Sequence, residues 1–284
     1  MIPSEWLHAF AVFAEDANMS RAARRLHLSQ PAVHAQLKKL EAEIGVPLYR
    51  RVGRGLALTK EGSVVAAFAR DEAERVDALL RELRGETGER CVVLAAGGGA
   101  IVHVLGGGVH AFTRKGAARV EVVTADAKHA LDLVRRGLAH VGVAALDAPP
   151  ADLDVHELVE TPQVVVAPRD HRLAKKRSAT LADLEGERIV APPEGGPQRA
   201  ALDAALAAHH VKVAVSATAR GWDVVLRLVE LRVGLGIVNG TCTIPRALVA
   251  RPLRELPRVT YYAFTRPRPR ADVVELVRAF IASR

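Results

Sequence analysis

Residues 20–45, SRAARRLHLSQPAVHAQLKKLEAEIG, constrain the fold more than any other stretch of the chain. Two helix-forming runs flank a break at His27-Leu28, and Ser29 precedes the second run with Pro31 in its first turn. A serine hydroxyl accepts from an orphan N–H at a helix start, and proline there loses no backbone bond. Gly45 stands where a left-handed residue closes a helix. The stripe Val33, Leu37, Leu40 and Ile44 faces inward, and Gln30, His34, Ala35 and Lys38 face outward. Upstream, Pro3–Asp16 reads as an amphipathic helix with Trp6, Phe10 and Phe13 on one stripe, and Ser20 as the cap of RAARRL. Three short helices with a tight break between the second and third describe a helix-turn-helix. Ala22, Ala23 and Ala32 permit close helix crossing, and Ala35 keeps the outer face low enough to enter a major groove.

The next segment, PLYRRVGRGLALT, reads as a hairpin with strands Leu48–Arg50 and Leu56–Leu58, and with Arg50, Arg51 and Arg54 near its tip. Such a hairpin is the wing of a winged helix-turn-helix. Residues 1–60 hold nine Lys/Arg against five Asp/Glu, about half of the chain's net charge of +8 in a fifth of its length. A basic surface of this kind fits phosphates on both sides of a groove. Thr59 caps a long helix from about Lys60 to Arg84, with Val65, Phe68, Val76, Leu79 and Leu83 at near-heptad spacing and Glu72 interrupting them. One apolar seam on so long a helix calls for a partner, most simply its twin in a dimer. RGETGER, residues 84–90, reads as a hinge.

From Cys91 onward, strands and helices alternate. CVVLAA, RVEVVT and VGVAAL are separated by helical stretches at 100–115 and 127–137. QVVVAP, RIVA, KVAVS, LGIVN and TYYAFT form a second set, with helices near 197–209 and 222–233. Two α/β halves follow, with a final helix at 271–282 returning to the first half and a ligand cleft between them. Gly97-Gly98-Gly99 ends the first strand and opens a helix, so its N–H groups suit an anion or simply make a tight turn. It is neither a dinucleotide fingerprint nor a Walker loop. Thr124 and Asp126 end the second strand; Asp126 either meets a donor-bearing ligand or caps the next helix. EGGPQ, residues 194–198, forms another strand-to-helix loop; Trp222 stacks or packs, and Asn239-Gly240 ends a strand. Gly106-Gly107-Gly108 interrupts the first helix, bending it or thinning a cleft wall.

The bulk numbers exclude other classes. About half of the 284 residues are apolar, which rules out disorder. No run reaches the ~18 apolar residues of a membrane span, and the amino terminus lacks a signal-peptide pattern, so a cytoplasmic protein is expected. Cys91 and Cys242 form no disulfide framework or metal cluster. No G-x-S-x-G, H-E-x-x-H or C-x-x-C motif is present, so no catalytic residue and no metal site is expected.

The segment SRAARRLHLSQPAV…LKKLE…GVPLYRR…LT closely resembles the amino-terminal domain of LysR-type transcriptional regulators. PRDHRLA, TLADLEGERIVAPP and LVELRVGLGIVNG resemble that family's effector domain more loosely. The resemblance implies an α/β fold with an all-α-plus-wing amino-terminal module. A winged helix-turn-helix (1–59) and a linker or dimerisation helix with hinge (60–90) precede an effector domain (91–284) of the type 2 periplasmic-binding-protein fold. Its subdomain I spans about 91–161 and 266–284, and subdomain II about 162–265. On this reading Arg21, Ser29, Gln30, Pro31, His34, Gln36, Lys38, Arg50, Arg51 and Arg54 face DNA. Gly98, Gly99, Ala100, Thr124, Asp126, Gly196, Pro197, Gln198, Trp222 and Asn239 line the effector site. His34-Ala35 stands where many members have Ser-Arg, and His140 where the family often has Asp. The resemblance further implies promoter DNA, a small-molecule co-inducer in place of any cofactor, a homodimer or homotetramer, allosteric control and contact with RNA polymerase. An enzyme or solute carrier on the same fold is the rival class, and it has no use for a winged helix-turn-helix.

Overall fold

The computed structural model describes residues 2–53, 55–83, 90–116, 118–195 and 197–283. Arg54, Gly196 and hinge residues 84–89 therefore lie outside the described residues.

The amino-terminal module holds α1 (Ser4–Asp16), α2 (Met19–Arg25), α3 (Gln30–Ile44) and an antiparallel hairpin of β1 (Tyr49–Val52) and β2 (Gly55–Leu58). Its core joins Phe10 and Phe13 to Ala22, Ala23, Val33, Leu37 and Leu40. Asn18, not Ser20, caps α2: its side chain accepts from the Arg21 N–H at 3.0 Å. Ser20 lies one residue inside the helix and accepts from Gln30 Nε2 at 2.6 Å, tying α2 to the start of α3. Ser29 caps α3 and Gly45 closes it at φ 82°, as the sequence requires. The hairpin begins one residue later than expected, because Leu48 is fully buried in the core rather than part of the ladder.

Helix α4 (Lys60–Leu83) follows directly. Thr59 Oγ1 accepts from the Gly62 N–H at 2.9 Å and donates to the Pro47 carbonyl at 2.8 Å. A Cβ on Gly62 would stand 1.8 Å from the Leu48 carbonyl oxygen, so only glycine lets α4 start this close to the hairpin.

The remaining chain forms two five-stranded sheets. The first runs in the order β4-β3-β5-β12-β6 and the second β11-β7-β10-β8-β9. The first contains β3 (Cys91–Ala96), β4 (Arg119–Thr124), β5 (Val141–Ala145), β6 (Asp154–Thr161) and β12 (Val259–Thr265). The second contains β7 (Gln163–Pro168), β8 (Arg188–Ala191), β9 (Ala214–Thr218), β10 (Leu235–Asn239) and β11 (Leu248–Pro252). Both sheets are mixed. In the first, β3 pairs in parallel with β4 and β5, whereas β12 runs antiparallel to β5 and β6.

This corrects the division read from sequence. TYYAFT belongs to the first sheet, so subdomain I takes in 259–265 and the return crossing lies before Val259. Strands β6 and β11 escaped the sequence reading altogether.

Around the first sheet lie α5 (Gly98–Ala100), a π-helical turn at Ile101–Leu105, α6 (Gly106–Arg114), α7 (Ala127–Arg135) and α10 (Ala271–Ala282). The three glycines at 106–108 neither end nor break the helix. A Cβ on Gly108 would lie 2.5 Å from Phe280 Cδ1, so the glycines admit α10 against α6. Helices α8 (Pro197–Ala208) and α9 (Trp222–Glu230) cover the second sheet. No helix among the described residues is long and apolar enough to cross a membrane.

Candidate functional site

The outer face of α3 is built by exclusion. Val33, Leu37 and Leu40 are fully buried, which forces Gln30, His34, Ala35 and Lys38 outward, where all four are exposed. Ser29, Pro31 and Arg21 are exposed beside them, and Arg50 and Arg51 project from β1. Gln36 departs from this set: it is half-buried, and its Oε1 is enclosed with no hydrogen-bond partner among the described residues.

Several of these groups are held rather than free. Arg21 pairs with Asp16 at 2.9 Å. Lys38 Nζ sits 2.8 Å from Glu41 Oε2 and 5.3 Å from the centre of the Tyr49 ring. Glu41 was not singled out in the sequence, yet its other oxygen accepts the Leu48 N–H at 2.8 Å and fixes the hairpin to the end of α3. Burial raises the Glu41 carboxyl, but the Lys38 and Leu48 bonds outweigh it and leave its pKa lowered.

The second candidate site lies where the two sheets meet. Trp222 opens α9 in subdomain II and packs against the cores of both halves. Its ring meets Tyr261 of β12 edge-on, at 6.4 Å between centres and 85° between planes. Asn239 is buried and donates from Nδ2 to the Tyr261 hydroxyl at 2.7 Å, a bond across the two halves. Burial, offset only in part by that bond, pushes the Tyr261 phenol up, so it stays protonated. His103 Nδ1 accepts the Thr243 N–H at 3.3 Å, and its Nε2 lies 3.3 Å from Asp223 Oδ1 outside hydrogen-bond geometry.

The sequence-derived effector residues divide accordingly. Gly99 and Trp222 are brought face to face, and Asn239 is spent on Tyr261. Thr124 and Gln198 are exposed at the ends of their elements, and Ala100 is buried. Asp126 is exposed and is the N-cap of α7, its Oδ1 accepting the His129 N–H at 2.9 Å. Pro197 is the first residue of α8. His103, Asp223 and Tyr261 were missed, since nothing local in the sequence marks residues that meet across a cleft.

Cys242 is buried, and its thiol is pushed up to about 12, so it carries no thiolate near neutral pH. No group of His, Cys, Asp and Glu with metal-binding geometry occurs among the described residues.

Comparison with known proteins agrees with this architecture. Residues 4–63 match the bacterial regulatory helix-turn-helix protein family of the lysR type, and residues 109–284 match the LysR substrate binding domain. The Hca operon transcriptional activator HcaR of Escherichia coli is 29% identical over 240 residues, 82% of this chain and 80% of its own length. ArgP from Mycobacterium tuberculosis superposes with a TM-score of 0.72 at 18% identity, covering 98% of this chain and 96% of its own. A full-length OxyR variant from Pseudomonas aeruginosa gives 0.69 at 19%, covering 100% and 94%. With both family domains present in order, and a curated transcriptional activator aligned across most of its length, the chain belongs to the LysR family of transcriptional regulators and is not an enzyme.

Proposed function

We propose that two copies pair along α4 and set their α3 helices into two half-sites of an interrupted dyad near a promoter. His34 and Gln30 read base edges. Arg21, Lys38, Arg50, Arg51 and Arg54 hold phosphates, and no metal or cofactor takes part. A small molecule in the cleft between the two halves changes how they sit and thereby the placement of the DNA-binding pairs, which alters contact with RNA polymerase. The ligand must prefer one arrangement, because equal affinity for both shifts nothing. The protein works in the cytoplasm, as a dimer or as a tetramer of two such pairs.

The observation that supports this most directly is the face of α3: small and polar outward, apolar inward, with arginines of β1 beside it. The test is a footprint of the purified chain on DNA upstream of its own gene, with and without dialysable cell extract. Protection that shifts with extract supports a ligand-switched regulator. Protection indifferent to extract removes the sensor and keeps the DNA function. No protection at low salt overturns the reading.

A further inference from the structure

Helix α4 does not project freely from the DNA-binding module. Its residues Ala67, Arg70, Asp71 and Glu74 lie within one stripe, at ~100° per residue, and that stripe rests on subdomain I of the same chain. Arg266 grips Asp71 with two bonds of 2.6 and 2.7 Å and reaches the Ala67 carbonyl at 3.1 Å. Arg270 donates to Glu74 at 2.6 Å, to Asp272 at 2.7 and 3.1 Å, and to the Cys91 carbonyl at 3.0 Å. Arg70 donates to the Arg136 carbonyl at the end of α7. Beside it, a Cβ built on Gly137 would be 3.3 Å from Ala67 Cα, so the helix passes close against the end of α7.

His140 completes the contact and explains its departure from the family's usual Asp. Its Nδ1 accepts the Val93 N–H at 2.8 Å, so that nitrogen carries no proton and the neutral ring has its hydrogen on Nε2. Nε2 lies 3.0 and 3.2 Å from the two Glu74 oxygens and donates to them. An aspartate here would face Glu74 with like charge. Histidine supplies a donor instead, in register with the Val93 strand.

Both arginines sit in the short connection from β12 to α10, directly past Thr265. The other end of β12 carries Tyr261, which bonds Asn239 across the cleft and meets Trp222 edge-on. Tyr261 and Arg266 are five residues apart on an extended strand, roughly 17 Å. The segment from Tyr261 to Arg270, β12 and the connection after it, thus touches both the cleft and α4.

We infer that Asp71, Glu74, His140, Arg266 and Arg270 are positioning residues that latch α4 to subdomain I, so that the cleft sets the attitude of the DNA-binding module through β12. This rests on the regulatory reading above for its purpose, but the latch itself is tested without DNA. Small-angle X-ray scattering of the full chain gives a compact wild type. Asp71→Arg and Arg266→Asp each give a larger radius of gyration, and the double variant with the pair exchanged returns to the wild-type profile. Asp71→Asn with Glu74→Gln, isosteric changes that spare the fold, also expand the molecule. On operator DNA the single reversals keep wild-type affinity for an isolated half-site. They lose cooperativity between half-sites by about tenfold, the scale of an allosteric coupling, and the exchanged pair restores it. Single variants with the wild-type scattering profile, or expanded variants that the exchange does not restore, overturn the latch. A wild type that protects no DNA overturns the regulatory reading and leaves the scattering result to decide the latch.

Discussion

Gly99 and Trp222 stand so close across the cleft that a Cβ built on the glycine would lie 2.3 Å from Cε3 of the indole. The indole packs against the cores of both halves, so a shift on one side disturbs the other. Gly99→Ala is therefore expected to destabilise the protein by about 1–3 kcal/mol, the usual cost of overpacking, and to shift Trp222 fluorescence. Gly98→Ala is the control, because nothing lies within 4 Å of its Cβ position. Thermal unfolding of the two variants measures the difference, and equal midpoints would show that the halves part freely at Trp222.

On the proposed reading, α3 and β1 make two kinds of contact with DNA. Arg50→Ala or Arg51→Ala should weaken binding to all duplexes and lower the salt slope by about 1. His34→Ala should relax preference at one operator position, at about 1–3 kcal/mol of lost discrimination. Titrations at several salt concentrations on matched and mismatched operators separate the two; a uniform loss for His34→Ala would make it a phosphate contact.

Acid should release α4 through Glu74. Burial alone would raise its carboxyl, but hydrogen bonds from His140 and Arg270, with the charge of the Arg270 guanidinium, outweigh that and hold it at about 2, against an ordinary 4.5. A lowered pKa stabilises the fold fully above the ordinary value, and the gain is lost as pH falls from about 4.5 toward 2. The stability difference between wild type and Glu74→Gln should be constant above pH 5 and shrink below 4.5. Denaturant melts across that range follow it directly.

Thiol chemistry should single out Cys91. It is partly exposed, with Sγ 3.9 Å from Glu121, whereas Cys242 is buried and its thiol pushed up to about 12. Iodoacetamide at pH 7.5 should modify Cys91 alone in the native protein, and both residues after unfolding. Rapid native modification of Cys242 would show that its site opens in solution.

The seam on α4 should govern self-association. Phe68, Val76, Leu79 and Leu83 are all more than half exposed in the single chain. Leu79→Asp should raise the dimer dissociation constant at least about tenfold, since a charge would replace a buried leucine. Sedimentation velocity over a concentration series gives the constant.

Local signals made the amino-terminal module legible. Ser29, Pro31 and Gly45 act within one helix, and the buried stripe of α3 follows from spacing alone. Asn18 was overlooked because Ser20 offers the same chemistry two residues on. β6, DVHELVET, carries acids at both ends and no clean alternation, and β11 ends in proline, so neither announces itself as a strand. The sheet membership of β12 depends on pairing with β5, more than a hundred residues upstream. The Asp71–Arg266 pair spans 195 residues and the Asn239–Tyr261 bond joins two halves of a domain. No window of sequence contains such contacts.

The stripe of α4 that rests on subdomain I and the stripe that bears Phe68, Val76 and Leu79 are different sides of one rod. On the proposed pairing along α4, association and posture would accordingly be separate variables. Two chains zipped together along their exposed sides need not share the same stance, and one protomer can stand clasped while its partner stands open. An operator with two unequal halves would suit such a lopsided pair, one arm fixed and the other searching.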